Sequence, residues 1–394
     1  MKSVLPAFAA GILACSACAP GTEPVGESSQ PETPRQSFRD ANGRTVALMA
    51  GQTLYLSAVS PEDAEAPVAD QTGSAMDRLG EILGMAGLDY GHVVSCHVHL
   101  SDMDDYAEMN SVYGSYFSEG GYPARTTLEV PGVPEGAGVL LMCVAYADVS
   151  EIEVIRPPED RIPAAMGPYS PAVRAGKAVY LSGQGGRDPA TGELSETSGG
   201  QAERTLATIG IILDAAGLDF DNAVLAGTYS PASAEQGEID SALEGVFSPG
   251  AAPSRANVIL SRLPGDIAVE ITIIAVDDSY VTRLFMHDQP PTAASSPASL
   301  SGGVAYMSAM PGSGATFREQ FLGALKLHES ALGLALMQLP DVVRITAYLS
   351  DLADLEELRS LVSETFPESE PAVTAIQAHN PDGVAVVLET IAVQ

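Results

Sequence analysis

His97 and His99 alternate along one apolar run, so their imidazoles share a face of the strand they would form, and two imidazoles on one face can begin a metal site. His92 is close in the chain, but no carboxylate or thiolate at a recognisable metal-ligand spacing completes the set. The pair beside Val98 is therefore expected to face solvent, and no metal is expected. His328 interrupts an apolar helical stripe and reads as a hydrogen-bonded interface histidine. Cys96 and Cys143 both lie on apolar strands of one segment. Two cysteines make no disulfide framework, so buried free thiols are expected, with one disulfide between them as the alternative. The chain has no nucleophile elbow and no phosphate-cradling glycine loop, and no cofactor is expected. Arg125 and Arg255 are distinctive for another reason: they stand at the same offset from Gln71 and Gln201.

That shared offset belongs to a threefold internal repeat, the pattern to seek before any other. Segments beginning at Gln71, Gln201 and Gln320 align, and Phe117, Phe247 and Phe366 follow them at one common distance. Each copy has a β-rich run (Thr53–Ser57, Ala178–Ser182, Val304–Ser308) and then an amphipathic helix. In the second copy Ala202, Leu206, Ile209, Leu213 and Ala216 recur at helical spacing, and Gly87 and Gly217 stand where the first two helices should stop. The order predicted is ββαβαββ, an α+β fold with helices on one face of a mixed sheet. The copies span 38–150, 152–279 and 283–394. Their short connections predict copies that pack on one another.

Specific motifs carry a family resemblance. The second copy has Gly167-Pro168-Tyr169-Ser170-Pro171-Ala172-Val173 and then Leu181-Ser182-Gly183-Gln184. The first has Leu100-Ser101-Asp102-Met103-Asp104-Asp105-Tyr106, Asn110-Ser111-Val112-Tyr113 and Pro123-Ala124-Arg125-Thr126-Thr127. The third keeps Leu349-Ser350-Asp351-Leu352 and Leu388-Glu389-Thr390-Ile391-Ala392-Val393. In this order the motifs resemble the RidA (YjgF-like) imine/enamine deaminase family. The resemblance implies chorismate-mutase-like domains, usually assembled as homotrimers with ligand clefts between protomers. Three fused copies could build that trimer from a single chain, so the protein is expected to be a monomer in solution.

The resemblance also implies a chemistry, hydrolysis of reactive 2-imino or enamine acids to 2-keto acids. An arginine would hold the substrate carboxylate, which suits a bidentate guanidinium better than an ammonium. A glutamate on the last strand would position or activate water, and the tyrosine and backbone amides of the first motif would complete the pocket. Arg125 and Arg255 match the arginine, while Val373 replaces it in the third copy. Counting back from Ala145, Ala275 and Ala392, the glutamate position falls on Met142, Thr272 and Glu389, so only Glu389 is a carboxylate. The tyrosine is matched by Tyr169 alone. The site residues expected are Glu389, Arg255 and Arg125 for catalysis, with Tyr169, Ser182, Gly183 and Asn110 binding ligand. Arg255, Tyr169, Ser182 and Gly183 are expected to share the best binding cleft. The hydrolysis is expected at an interdomain cleft that joins Arg255 or Arg125 to a carboxylate across the interface, although the family arginine and glutamate are taken to come from one protomer, so assembly across copies is not automatic. The alternative is an envelope protein that binds small carboxylates, or nothing, without catalysis.

The ends and the charge bound the setting. Residues 1–14 read as a signal peptide, with Lys2 before an apolar run too short to span a bilayer as a helix. Ile12-Leu13-Ala14-Cys15 resembles a lipobox and makes Cys15 the expected lipidation site, with Cys18 as competitor. Residues 15–37, rich in Pro, Gly, Ser and Thr, read as a tether. The protein is thus expected to be exported and attached to the periplasmic or outer face of the envelope by lipid alone. A formal charge of −32, spread along the chain, repels phosphate backbones and argues against a nucleic-acid partner. Replacing Cys15 by Ser should release the protein from membranes in a fractionation assay. Release by Cys18→Ser and not by Cys15→Ser would move the anchor.

Overall fold

The computed structural model describes residues 33–247, 250–286, 292 and 294–394. The expected signal segment, with Cys15 and Cys18, lies outside the described residues. In the first copy the strands are β1 (Arg35–Arg39), β2 (Thr45–Ala50), β3 (Thr53–Leu56), β4 (Val93–Leu100), β5 (Ala124–Glu129) and β6 (Val139–Tyr146). Helices α1 (Val68–Met85) and α2 (Tyr106–Ser115) connect β3 to β4 and β4 to β5. The sheet order is β1-β2-β3-β6-β4-β5, with β4 and β5 parallel and the other pairs antiparallel.

The second copy repeats this with β7 (Ile152–Ile155), β8 (Ala172–Ala175), β9 (Ala178–Leu181), a short β10 (Gln184–Gly185), α3 (Ser198–Ala215), β11 (Ala223–Pro231), α4 (Gln236–Glu244), β12 (Ser254–Leu260) and β13 (Glu270–Val276). The third has β14 (Thr282–Leu284), β15 (Ala298–Ser301), β16 (Val304–Pro311), α5 (Phe317–Leu334), β17 (Val342–Leu349), α6 (Leu355–Thr365), β18 (Ala372–Gln377) and β19 (Val386–Val393). Each copy is an α+β domain, as the repeat grammar predicts, but opens with one strand more than ββαβαββ, and the second copy adds the short β10 as well. The extra strand in the first copy starts inside the expected tether and exposes four of its five residues, so it carries no apolar alternation to read.

Local signals explain the helices. Thr197 caps α3 by accepting from the Gly200 N–H, and Thr316 with Glu319 forms a capping box on α5. After α1 and α3 the chain turns through Gly87 (φ 73°) and Gly217 (φ 72°), a left-handed step that glycine takes without steric cost. The third copy makes the same step with Leu336 (φ 59°).

Each sheet buries one face under its own helices, as with Leu54, Met76 and Leu141 in the first copy. The opposite faces meet one another. Tyr55, Val144, Val173, Tyr180, Tyr306 and Ile391 form one core drawn from all three copies. Three matching hydrogen bonds close the ring. The Arg125 N–H donates to Ser182 Oγ at 2.8 Å, the Arg255 N–H to Ser308 Oγ at 2.8 Å, and the Val373 N–H to Ser57 Oγ at 3.0 Å. The arginine-position strand of each copy thus docks on the Ser turn of the next, and the third returns to the first.

Two expectations are corrected. Cys96 and Cys143 sit directly opposite on β4 and β6 and form a disulfide, a register that spacing alone does not reveal. His97 and His99 point into the assembled barrel, and burial lowers their pKa values to about 3 and about 4, so both are neutral. The sheet face they occupy would be wet in a lone copy and is covered by the other two. His328 is buried, with Nε2 2.9 Å from the Leu388 carbonyl and Nδ1 2.9 Å from Thr390 Oγ1, both in its own domain. Because the ring closes within one chain, light scattering on protein lacking residues 1–32 should give the mass of a single chain. A threefold larger mass would refute the intramolecular ring.

Candidate active site between the first two copies

Arg125 extends from β5 of the first copy into its junction with the second. It is 3% exposed and forms no ion pair among the described residues. Its Nη1 donates to Asn110 Oδ1 at 2.6 Å and its Nη2 to Tyr106 Oη at 3.2 Å, both from α2. The rings of Tyr106, Tyr113 and Tyr169 surround the guanidinium at 5.7, 5.2 and 5.5 Å, within cation–π range. Tyr169 comes from the second copy and is fixed by the Met166 N–H, which donates to its hydroxyl at 3.1 Å. A cation held by neutral groups keeps its attraction for an anion.

Glu270, the first residue of β13, completes the cleft from the second copy. The cavity, about 110 Å³, is also lined by Tyr106, Tyr169, Gly183, Gln184, Arg187 and Ile267. Burial raises the Glu270 pKa to about 8 against the opposing pull of Arg125, so the carboxyl is mostly protonated at neutral pH. Gly183 makes room for it: a Cβ there would lie 1.8 Å from Glu270 Oε1. The Gly183 N–H donates to the Arg125 carbonyl at 3.0 Å, and Ser182 Oγ, while accepting from Arg125, donates to the Ser170 carbonyl at 2.5 Å. The seam that joins the copies is therefore also the wall of the cleft. The arrangement offers an anion clamp beside a neutral carboxylic acid that can give or take a proton.

The structure brings Arg125, Asn110, Tyr169, Ser182 and Gly183 together and separates Arg255 and Glu389 from them. Arg255 lies at the next junction, where its Nη1 meets Asp240 Oδ1 at 2.6 Å and its Nε donates to Thr228 Oγ1 at 3.0 Å. Asp240 stands where the first copy has Asn110, so this clamp is already occupied by a carboxylate of the chain itself. Its pairing with Tyr169, Ser182 and Gly183 is corrected. Each arginine faces the turn of the following copy, so those three residues serve Arg125. At the third junction Val373 takes the arginine position.

Glu389 is also corrected. It is buried in the barrel, where it accepts from Arg344 Nη2 at 2.7 Å and Tyr348 Oη at 3.2 Å. Sheet register explains the difference. Glu270 pairs with Tyr229, and the corresponding cross-strand pairs are Leu140 with His99 and Val387 with Tyr348. The counterparts of Glu270 are therefore Leu140 and Val387, while Glu389 corresponds to Thr272 and Met142. The two positions share a sheet face but lie two residues apart, about 7 Å along the strand. Glu270, missed by counting back from the shared alanine, has a signal of its own: it is a carboxylate at the entry of a closing strand. The cleft takes its arginine from the first copy and its buried carboxyl from the second.

A folded-state pKa above the ordinary carboxyl value means that the native state holds its proton longer than the unfolded chain. Stability is then fullest below the ordinary carboxyl range and is lost as pH rises toward about 8. The loss above that pH is on the order of a few kcal/mol. Glu270→Gln should therefore melt higher than wild type at pH 9, by about 2 °C or more, with the gain vanishing near pH 4.5. An equal difference at both pH values would contradict this assignment.

The family model described as Endoribonuclease L-PSP matches residues 38–147 and 159–277, the two copies that form this cleft. Protein DfrA of Myxococcus xanthus is 36% identical over 110 residues, 26% of this chain and 83% of the relative. The 2-iminobutanoate/2-iminopropanoate deaminase of Mus musculus is 37% identical over 124 residues, 31% of this chain and 90% of the relative. Among solved structures, RidA from the Antarctic bacterium Psychrobacter sp. PAMC 21119 is 35% identical, with a TM-score of 0.30, covering 32% of this chain and 98% of that one. The two matched stretches make up more than half of the sequence, and the chain belongs to the Endoribonuclease L-PSP family, also called RidA/YjgF.

Proposed function

We propose that the protein hydrolyses small 2-imino acids to 2-keto acids and ammonia in the cleft between its first two copies. The observation that carries this reading is Arg125, a buried cation with no ion pair among the described residues, sharing a cavity with Glu270, whose pKa is raised to about 8. Relatives named 2-iminobutanoate/2-iminopropanoate deaminase support it at the family level.

The substrate carboxylate pairs with the Arg125 guanidinium, which Asn110 and Tyr106 hold in place. Protonated Glu270 donates to the imine nitrogen, which makes C2 more electrophilic. Water adds at C2, and the Glu270 carboxylate accepts the proton that the water loses. Glu270 then gives that proton to the carbinolamine nitrogen, the C–N bond breaks to release ammonia, and the hydroxyl proton returns to Glu270 as the keto group forms. The balance is one imino acid and one water giving one keto acid and one ammonia, and no cofactor enters it.

The setting is part of the proposal. The buried Cys96–Cys143 disulfide supports an oxidising compartment, in keeping with export and a lipid anchor at Cys15. The acidic surface supports a small-molecule substrate over RNA.

The test is a coupled assay in which an amino-acid oxidase generates 2-iminobutanoate and keto-acid formation is followed. Arg125→Ala and Glu270→Gln should each lower kcat/KM by about a hundredfold or more, and Arg255→Ala by less than about threefold. Since the acid form of Glu270 starts the reaction, kcat/KM should fall as pH rises through about 8. Wild type that does not accelerate hydrolysis, while 2-oxobutanoate still binds, would leave a carboxylate-binding protein.

A further inference from the structure

The active-site cleft holds a second arginine that the reaction does not use. Arg187 lines it two residues beyond Gly185, which pairs with Glu270 across β10 and β13. The chain stays extended past β10, with Arg187 bridged to Leu194. Residues 183, 185 and 187 therefore alternate onto one face. At the first two, missing side chains open the cleft: a Cβ on Gly183 would strike Glu270, and one on Gly185 would lie 2.7 Å from Ile267 Cδ1. At the third, the same face carries a guanidinium.

The Arg187 guanidinium is anchored without being neutralised. Its Nη1 donates to the Gly192 carbonyl at 3.0 Å and its Nη2 to the Gly265 carbonyl at 2.7 Å. Of the five N–H donors of a guanidinium, the rest have no acceptor among the described residues. Two nearby acids are engaged elsewhere, Asp188 with Arg204 at 2.7 Å and Asp266 with Arg262 at 2.8 Å, and Arg187 forms no ion pair with the exposed Glu193 of the same turn among the described residues. In a chain of formal charge −32, a cleft holding two arginines with no ion pair among the described residues is a local reversal of sign.

We propose that this cleft is built for a dianion, a 2-imino dicarboxylate, with Arg125 taking the carboxylate beside the imine and Arg187 the distal one. The inference rests on the hydrolytic reading of the same site and narrows its substrate class. With Glu270 protonated, the two guanidinia leave the empty cleft a charge of two to be matched. The upstream reaction is then one that oxidises an acidic amino acid to its imine.

Calorimetry with the stable keto acids 2-oxoglutarate and 2-oxobutanoate separates this inference from the question of turnover. Wild type should bind 2-oxoglutarate about tenfold tighter or better. Arg187→Gln keeps amide donors for the Gly192 and Gly265 carbonyls but should abolish the preference, and Arg187→Lys should retain part of it. The kcat/KM ratio for 2-iminoglutarate over 2-iminobutanoate should move in parallel. Equal binding of the two acids by wild type, no binding of either, or equal losses on both acids in Arg187→Gln would overturn the proposal. The last result would make Arg187 only a clamp on the Gly265 turn. Turnover of 2-iminobutanoate alone would leave the hydrolytic reading standing without it.

Discussion

The contact on which the structure depends is the seam between successive copies, where a strand amide of one copy meets the Ser hydroxyl of the next. It recurs three times and closes on itself. Without it each sheet would expose the face that carries Tyr55, Tyr180 and Tyr306, an apolar surface that a small domain has no means to cover. With it that face becomes a shared core, and the cleft beside each seam becomes a place where two copies contribute to one site. Fusion into a single chain then allows what a symmetric trimer of identical subunits cannot have, three clefts of different composition.

That freedom has been used. The first junction keeps a caged arginine facing a buried acid. The second keeps its arginine but supplies Asp240 as a partner, and the third has Val373. The barrel interior has diverged as well: Arg344 and Glu389 of the third copy form a buried ion pair in a cavity also lined by His97 and Tyr229 from the other two. Removing one partner of such a pair costs about 3–5 kcal/mol, because it strands a charge away from water. The interior pair gives the carboxylate on the last strand of the third copy a partner inside the barrel.

Much of this was legible in the sequence. The three aligned segments, the helix stops at Gly87 and Gly217 and the shared Phe positions led to three α+β domains, because those features are local and repeat. Arg125, Asn110, Tyr169, Ser182 and Gly183 were legible as a group, since each sits in a recognisable motif, and the structure brings them together at the first junction. What stayed hidden depended on long-range register. Glu270 and Glu389 lie on equivalent strands of the same sheet face, and a two-residue offset separates the cleft from the barrel interior. The Cys96–Cys143 bond and the buried His97 and His99 likewise depend on strand pairing and on surfaces that only the closed ring covers. Which arginine faces Tyr169 was hidden too, because the seam runs from each copy to the next.

The central claim is that one of the three clefts is complete and that it draws its arginine from the first copy and its acid from the second. The most direct test is the stoichiometry of 2-oxoglutarate binding to the whole chain, with Arg125→Ala and Arg255→Ala measured alongside. The account predicts one site per chain, lost in Arg125→Ala and kept in Arg255→Ala. Two or three sites, or a single site lost with Arg255, would contradict it.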